Sequence, residues 1–172
     1  MDFHAFDREQ SASLVDIYPT LVELCGITGN GGKENYLPTD RVIDGVSFVP
    51  VIENDTPVHT AEHPILHMKR EDIKAIQYTV PAAEIRKMYP EYDYAVLNDN
   101  EYITLKYFDK APNDNSAFFD KSRKNWLHFL TDDYQENYNR TPVYPEIADQ
   151  FNERMHEIID DFNENRRGII EQ

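Results

Sequence analysis

The stretch Pro145-Glu146-Ile147-Ala148-Asp149-Gln150-Phe151-Asn152-Glu153-Arg154-Met155-His156-Glu157-Ile158-Ile159-Asp160-Asp161-Phe162 carries the strongest periodic signal in the chain. Pro145 suits the first turn of a helix, where its missing N–H costs little. Ile147, Phe151, Met155, Ile159 and Phe162 then recur at helical spacing and form one stripe. Burying each of these side chains is worth about 1.5–3 kcal/mol. A helix with such a stripe has to lie against another apolar surface, and the preceding sequence offers one.

Four runs upstream are short and rich in β-branched and aromatic residues: Ile65-Leu66-His67-Met68, Ile73-Lys74-Ala75-Ile76-Gln77-Tyr78, Tyr102-Ile103-Thr104-Leu105-Lys106-Tyr107-Phe108 and Trp126-Leu127-His128-Phe129-Leu130. They predict a small antiparallel sheet of about four strands. Between the second and third runs, Ala82 to Met88 predicts a short helix and Tyr92 to Leu97 a further strand, closed by a turn at Asn98-Asp99-Asn100. With the C-terminal helix packed on the sheet, the expected fold class is α+β.

Toward the N-terminus, Ser13-Leu14-Val15-Asp16 marks a helix entry, Pro19 falls in the first turn, and Gly26 supplies a stop, which predicts a helix from about Asp16 to Cys25. Thr28 to Lys33 holds three of the six glycines and predicts a flexible loop. A phosphate-cradling loop would need Ser or Thr after the lysine, and Glu34 stands there instead. Leu37 to Ile52 predicts an extended crossing with short ordered pieces and a tight turn at Asp44-Gly45. The polar stretch Asn54 to Glu62, which contains Pro57, marks the boundary between two units, residues 1–55 and 56–172.

Charge and cysteine content narrow the function classes. With 32 acidic against 17 basic residues the net charge is -15, so a nucleic-acid backbone would be repelled over most of the surface and nucleic acid is not an expected partner. No run approaches the ~18 apolar residues that span a bilayer, and the acidic start of the chain does not read as a signal peptide. Cys25 is the single cysteine, which excludes an intramolecular disulfide and a cysteine-built zinc site.

His59, His63 and His67 fall at four-residue spacing, but Pro64 interrupts any shared helix face and no carboxylate stands as an evident third ligand, so no metal site is expected there. Asp132-Asp133 and Asp160-Asp161 are adjacent pairs, which do not converge on one ion and read as turn or surface charge. There is no Gly-x-Ser-x-Gly elbow and no calcium-loop spacing.

The segment Ser13-Leu14-Val15-Asp16-Ile17-Tyr18-Pro19-Thr20-Leu21-Val22-Glu23-Leu24-Cys25-Gly26-Ile27 resembles the end of the catalytic domain in sulfatases, where Asp, an aromatic and Pro-Thr-Leu precede a helix ending at Gly. Arg41-Val42-Ile43-Asp44-Gly45-Val46-Ser47 resembles the family's Asp-Gly-x-Ser crossing toward its smaller C-terminal subdomain. Farther on, Ile65-Leu66-His67, Ala75-Ile76-Gln77-Tyr78, Thr104-Leu105-Lys106 and Leu127 to Asn137 are similar, in order, to the strands of aryl and steryl sulfatases. Gln77 replaces the usual Arg, His128-Phe129 replaces Tyr-Asp, and Tyr134 replaces Pro.

The resemblance implies a C-terminal, non-catalytic part of a sulfatase, with a helix and crossing that belong to the catalytic domain. That family uses a formylglycine made from Cys or Ser in Cys/Ser-x-Pro-x-Arg, and a calcium ion held by Asp and Asn. Cys25 does not fit that pattern, because Ile27 and Gly29 stand where Pro and Arg are required. No catalytic residue and no metal ligand is therefore expected in this chain, and calcium and formylglycine are expected in the catalytic part. The implied partner is that part, or failing it a second copy of this chain, and the implied parent enzyme is exported. His67, Lys69 and Arg70 are the candidates for the rim of the substrate cleft, where cations and donors suit an anionic ester; ordinary strand and turn roles are the plainer alternative.

Overall fold

A computed structural model describes residues 11–26, 28–29, 34–35, 43–70, 72–92, 94–110 and 125–164. A 3-10 turn at Leu14–Asp16 leads into α1 (Ile17–Leu24), followed by the two-residue strands β1 (Thr28–Gly29) and β2 (Glu34–Asn35) and by α2 (Val49–Asn54). Then come β3 (Ile65–Lys69), β4 (Asp72–Pro81), α3 (Ala82–Met88), α4 (Ala95–Asp99), β5 (Tyr102–Phe108), β6 (Trp126–Phe129) and α5 (Pro145–Glu164).

The last four strands form one antiparallel sheet in the order β3-β4-β5-β6, and the class is α+β. Strand alternation sends Ile76 and Tyr78, then Ile103, Leu105 and Tyr107, then Leu127 and Phe129 into one core with α5. From the helix, Ile147, Phe151 and Met155 are buried in that core, while Ile159 and Phe162 pack at its margin. The Phe151 ring stacks on Tyr78 with centroids 3.8 Å apart and planes 2° from parallel. At the helix start, Tyr89 donates its hydroxyl proton to Glu146 and accepts from the Glu146 N–H, which ties the end of α3 to the first turn of α5. Burial and that carboxylate push the Tyr89 hydroxyl up to about 12, so it stays a donor.

Two predicted elements are different in the structure. The run Tyr92 to Leu97 is not a strand: its second half enters α4, because β4 and β5 already pair with each other from Ala75↔Phe108 to Pro81↔Tyr102 and leave no slot between them. Instead Leu97 is buried under α3, its carbonyl accepts from the Arg86 guanidinium, and Tyr92 and Tyr94 pack on Tyr144. Within the glycine-rich stretch, Thr28 and Gly29 pair with Asn35 and Glu34 as an antiparallel ladder; residues 30–33 lie outside the described residues. The predicted crossing has its short ordered piece in Val49–Asn54, which is helical, with Pro50 in its first turn and Asp55 in the left-handed conformation at its end; residues 43–48 before it carry no helix or strand. The predicted lead-in of residues 1–10, and Leu37 to Val42, also lie outside the described residues.

Candidate functional site

The helix entry at Ser13 is built around one carboxylate. Asp16 is 2% exposed, and its two oxygens accept the Ser13 N–H at 2.7 Å and the Val46 N–H at 3.0 Å. The same group meets His59 Nε2 at 2.8 Å, while His59 Nδ1 faces the His63 carbonyl at 2.9 Å. One turn along, Thr20 donates to the Asp16 carbonyl and accepts the Phe48 N–H at 2.9 Å. Gly45 completes the brace: a Cβ there would sit 2.0 Å from the Val15 carbonyl oxygen, so only glycine lets the crossing approach α1 this closely. His59 also links this brace to the sheet, because its carbonyl accepts the Thr79 N–H of β4 at 2.8 Å.

The other side of α1 is apolar and open. Leu14, Ile17, Tyr18, Leu21 and Leu24 recur at helical spacing along it, each about half exposed or more, and Ile52 of α2 is likewise exposed. Leu14 reaches 84%.

A second polar assembly lies on the face of the sheet turned away from α5. Gln77, Lys106 and His128 are register neighbours on β4, β5 and β6. His67 Nε2 bonds the Gln77 Oε1 at 2.9 Å from β3, and the Lys106 ammonium donates to Glu136 at 2.6 Å. Burial pushes His67 below its ordinary 6.5, and the Lys106 charge adds to the effect. His128 is fully buried and is also pushed down by burial, against the pull of the Glu136 and Asp133 carboxylates. The row is assembled by strand register, from residues up to 61 positions apart in sequence (His128 minus His67).

The three rim candidates do not converge. His67 turns onto Gln77, whereas Lys69 and Arg70 end β3 in an exposed turn, Arg70 with φ +60°. The histidines at four-residue spacing are likewise separated, since His59 is buried against Asp16, His63 is exposed and His67 lies on β3. Among the described residues no group of three or more His, Cys, Asp or Glu could hold a metal ion. No helix among them is long and apolar enough to cross a membrane.

Asp133, read from sequence as turn or surface charge, serves a turn and is buried there, accepting the Asn137 N–H at 3.0 Å and the Tyr138 N–H at 2.8 Å. Asp132 does carry surface charge and pairs with Arg140 at 2.9 Å. An open depression of about 340 Å³ sits at one end of the sheet, floored by Ile73, Met155, Ile159 and Phe162 and rimmed by the Asp72–Lys74 pair. Sequence reasoning missed the Asp16–His59 pair and the burial of His128; the sequence marks Asp16 only as part of a helix entry.

Compared with known proteins, the chain matches no family model and no curated sequence.

Proposed function

We propose that this chain is the C-terminal, non-catalytic part of a sulfatase-type sulfuric ester hydrolase, which packs on the catalytic part through α1. The observation that carries this reading is the open apolar stripe Leu14, Ile17, Tyr18, Leu21 and Leu24 on a helix braced from behind by Asp16 and Gly45. A helix held in place by hydrogen bonds on one side and left apolar on the other is built to complete someone else's core. The resemblance supplies the identity of that core: Asp16, Thr20, Gly45 and Ser47 are the positions that resemble the sulfatase segment, and all four belong to the brace or to the entry of α2, where Ser47 accepts the Val49 N–H. In that assembly calcium and formylglycine belong to the catalytic part, and His67, Lys69 and Arg70 are the groups offered to the rim of the cleft.

Co-expression with a reading frame that carries Cys/Ser-x-Pro-x-Arg tests the reading. The two chains are expected to co-purify, and Leu21→Asp is expected to release them. The chain alone is expected to leave a chromogenic sulfate ester intact with calcium present; turnover above a heat-killed control would overturn the non-catalytic assignment. The same stripe also favours a second reading, self-association of the chain without any enzymatic role. Light scattering separates the two: a monomer at high concentration removes the second.

A further inference from the structure

We propose that residues 130–140 and the edge strand β6 form an acid-released cover, in which a proton on His128 lifts the turn from the outer face and bares the sheet edge at Leu127. The turn is pinned at several points. Leu130 N–H donates to Thr104 O at 2.8 Å, Asp133 N–H to Phe129 O at 2.9 Å, and Arg140 N–H to Leu127 O at 2.7 Å, while the Leu127 N–H is taken by Asn139 Oδ1 at 3.2 Å. These last two bonds cover the hydrogen-bonding edge of β6, the outermost strand on that side of the sheet.

His128 lies beneath this turn with no exposed surface, and its Nε2 has no hydrogen-bond partner. Among the described residues its charged and titratable neighbours are Lys106 on β5 and Asp133 and Glu136 on the turn; Phe108 and Trp126 pack against its ring. Nδ1 stands 3.7 Å from the nearer Asp133 oxygen, too far for a hydrogen bond. Both Asp133 oxygens already hold backbone N–H groups, and Glu136 is committed to Lys106. An imidazolium has two N–H donors to satisfy, and as the turn is pinned neither ring nitrogen has a hydrogen-bond partner. Water has to reach the ring, and the cheapest route is to raise a short edge strand and its turn rather than unfold the core. The depressed proton affinity of His128 has the direction this requires.

Amide hydrogen exchange on the whole chain, corrected for intrinsic rates, tests the proposal at about pH 7.5 and about pH 5, on either side of the ordinary histidine value. Protection of the Leu127, Asn137 and Tyr138 amides is expected to fall by about tenfold for each unit of mismatch in proton affinity, while Ile103 and Leu105 keep theirs. In His128→Gln the fall should vanish, and His67→Gln should leave it in place. A loss spread evenly over the sheet, a fall that persists in His128→Gln, or no fall at all would each overturn the idea. If His128→Gln does not fold, the histidine NMR titration of the unaltered chain decides: His128 must titrate below 6.5 together with shifts at Asn137 and Tyr138. Titration at or above that value, or silent amides, ends the proposal.

Discussion

The two ends of this chain bury their apolar side chains to very different extents. From β3 to α5 the apolar side chains are turned inward and closed over, so that Ile76, Leu105, Tyr107, Leu127 and Phe129 are at most 1% exposed. From Ser13 to α2 a few apolar residues, Pro19, Val22, Val49 and Val51, are buried beside Asp16 and Gly45, and the leucines and isoleucines of α1 are outside. From β3 to α5 cohesion comes mainly from area removed from water, whereas from Ser13 to α2 the smaller buried area is joined by directional bonds around one carboxylate. His59 fastens this part of the chain to β4, and the apolar side of α1 stays exposed.

The largest expected effect breaks the self-contained unit. Phe151→Ala removes the ring stacked on Tyr78 and should cost about 3–5 kcal/mol in denaturant unfolding, because the cavity lies between a helix and a full sheet. Next, Asp16→Ala leaves the Ser13 and Val46 N–H groups and the His59 ring without their acceptor and should cost about 3 kcal/mol. Its signature is regional, with exchange protection lost in α1 and residues 43–48 and kept in β4 and β5. Equal loss in both regions would mean that the two units fold as one.

Acid sharpens the contrast further. His67 and His128 both have proton affinities below the ordinary 6.5 in the fold, so the unfolded chain takes up protons first as pH falls. Their contribution is complete above about 6.5 and is lost progressively below it, until the folded values are reached. Thermal unfolding across that range should show a falling midpoint, with a shallower slope in His67→Gln; a midpoint that rises toward acid would contradict the buried, uncharged state of both rings. The smallest effect belongs to the open stripe: Leu21→Ser should change stability by no more than about 0.5 kcal/mol, while lowering the binding of a hydrophobic dye. A large loss of stability there would show that α1 is already packed on something within the chain.

Parts of this outcome are legible in the residues. The recurrence of Ile147, Phe151 and Met155 gives α5 its position and its buried face, and the β-branched runs place all four strands to within a few residues, Tyr102–Phe108 at the same ends. Tyr92 to Leu97 shows where such reading fails. Its aromatic residues fit a strand, but the slot they would fill does not exist once β4 and β5 are paired, and that pairing is a property of the whole sheet. The site is less legible than the fold. His67 stands out as a polar residue in a strand, yet its partner Gln77 and the neighbouring Lys106 reach it only through register.

By itself the sequence determined the periodic elements, their order, the acidic surface and the absence of a Cys/Ser-x-Pro-x-Arg context at Cys25, because each of these is written in neighbours along the chain. Only the tertiary structure decided which polar side chains would be buried. Asp16 meets His59 across 43 positions, and Gly45 is pressed against Val15 across 30. Alternation tells a residue which face it is on, but whether another segment then covers that face depends on where the chain returns, and no local pattern records it.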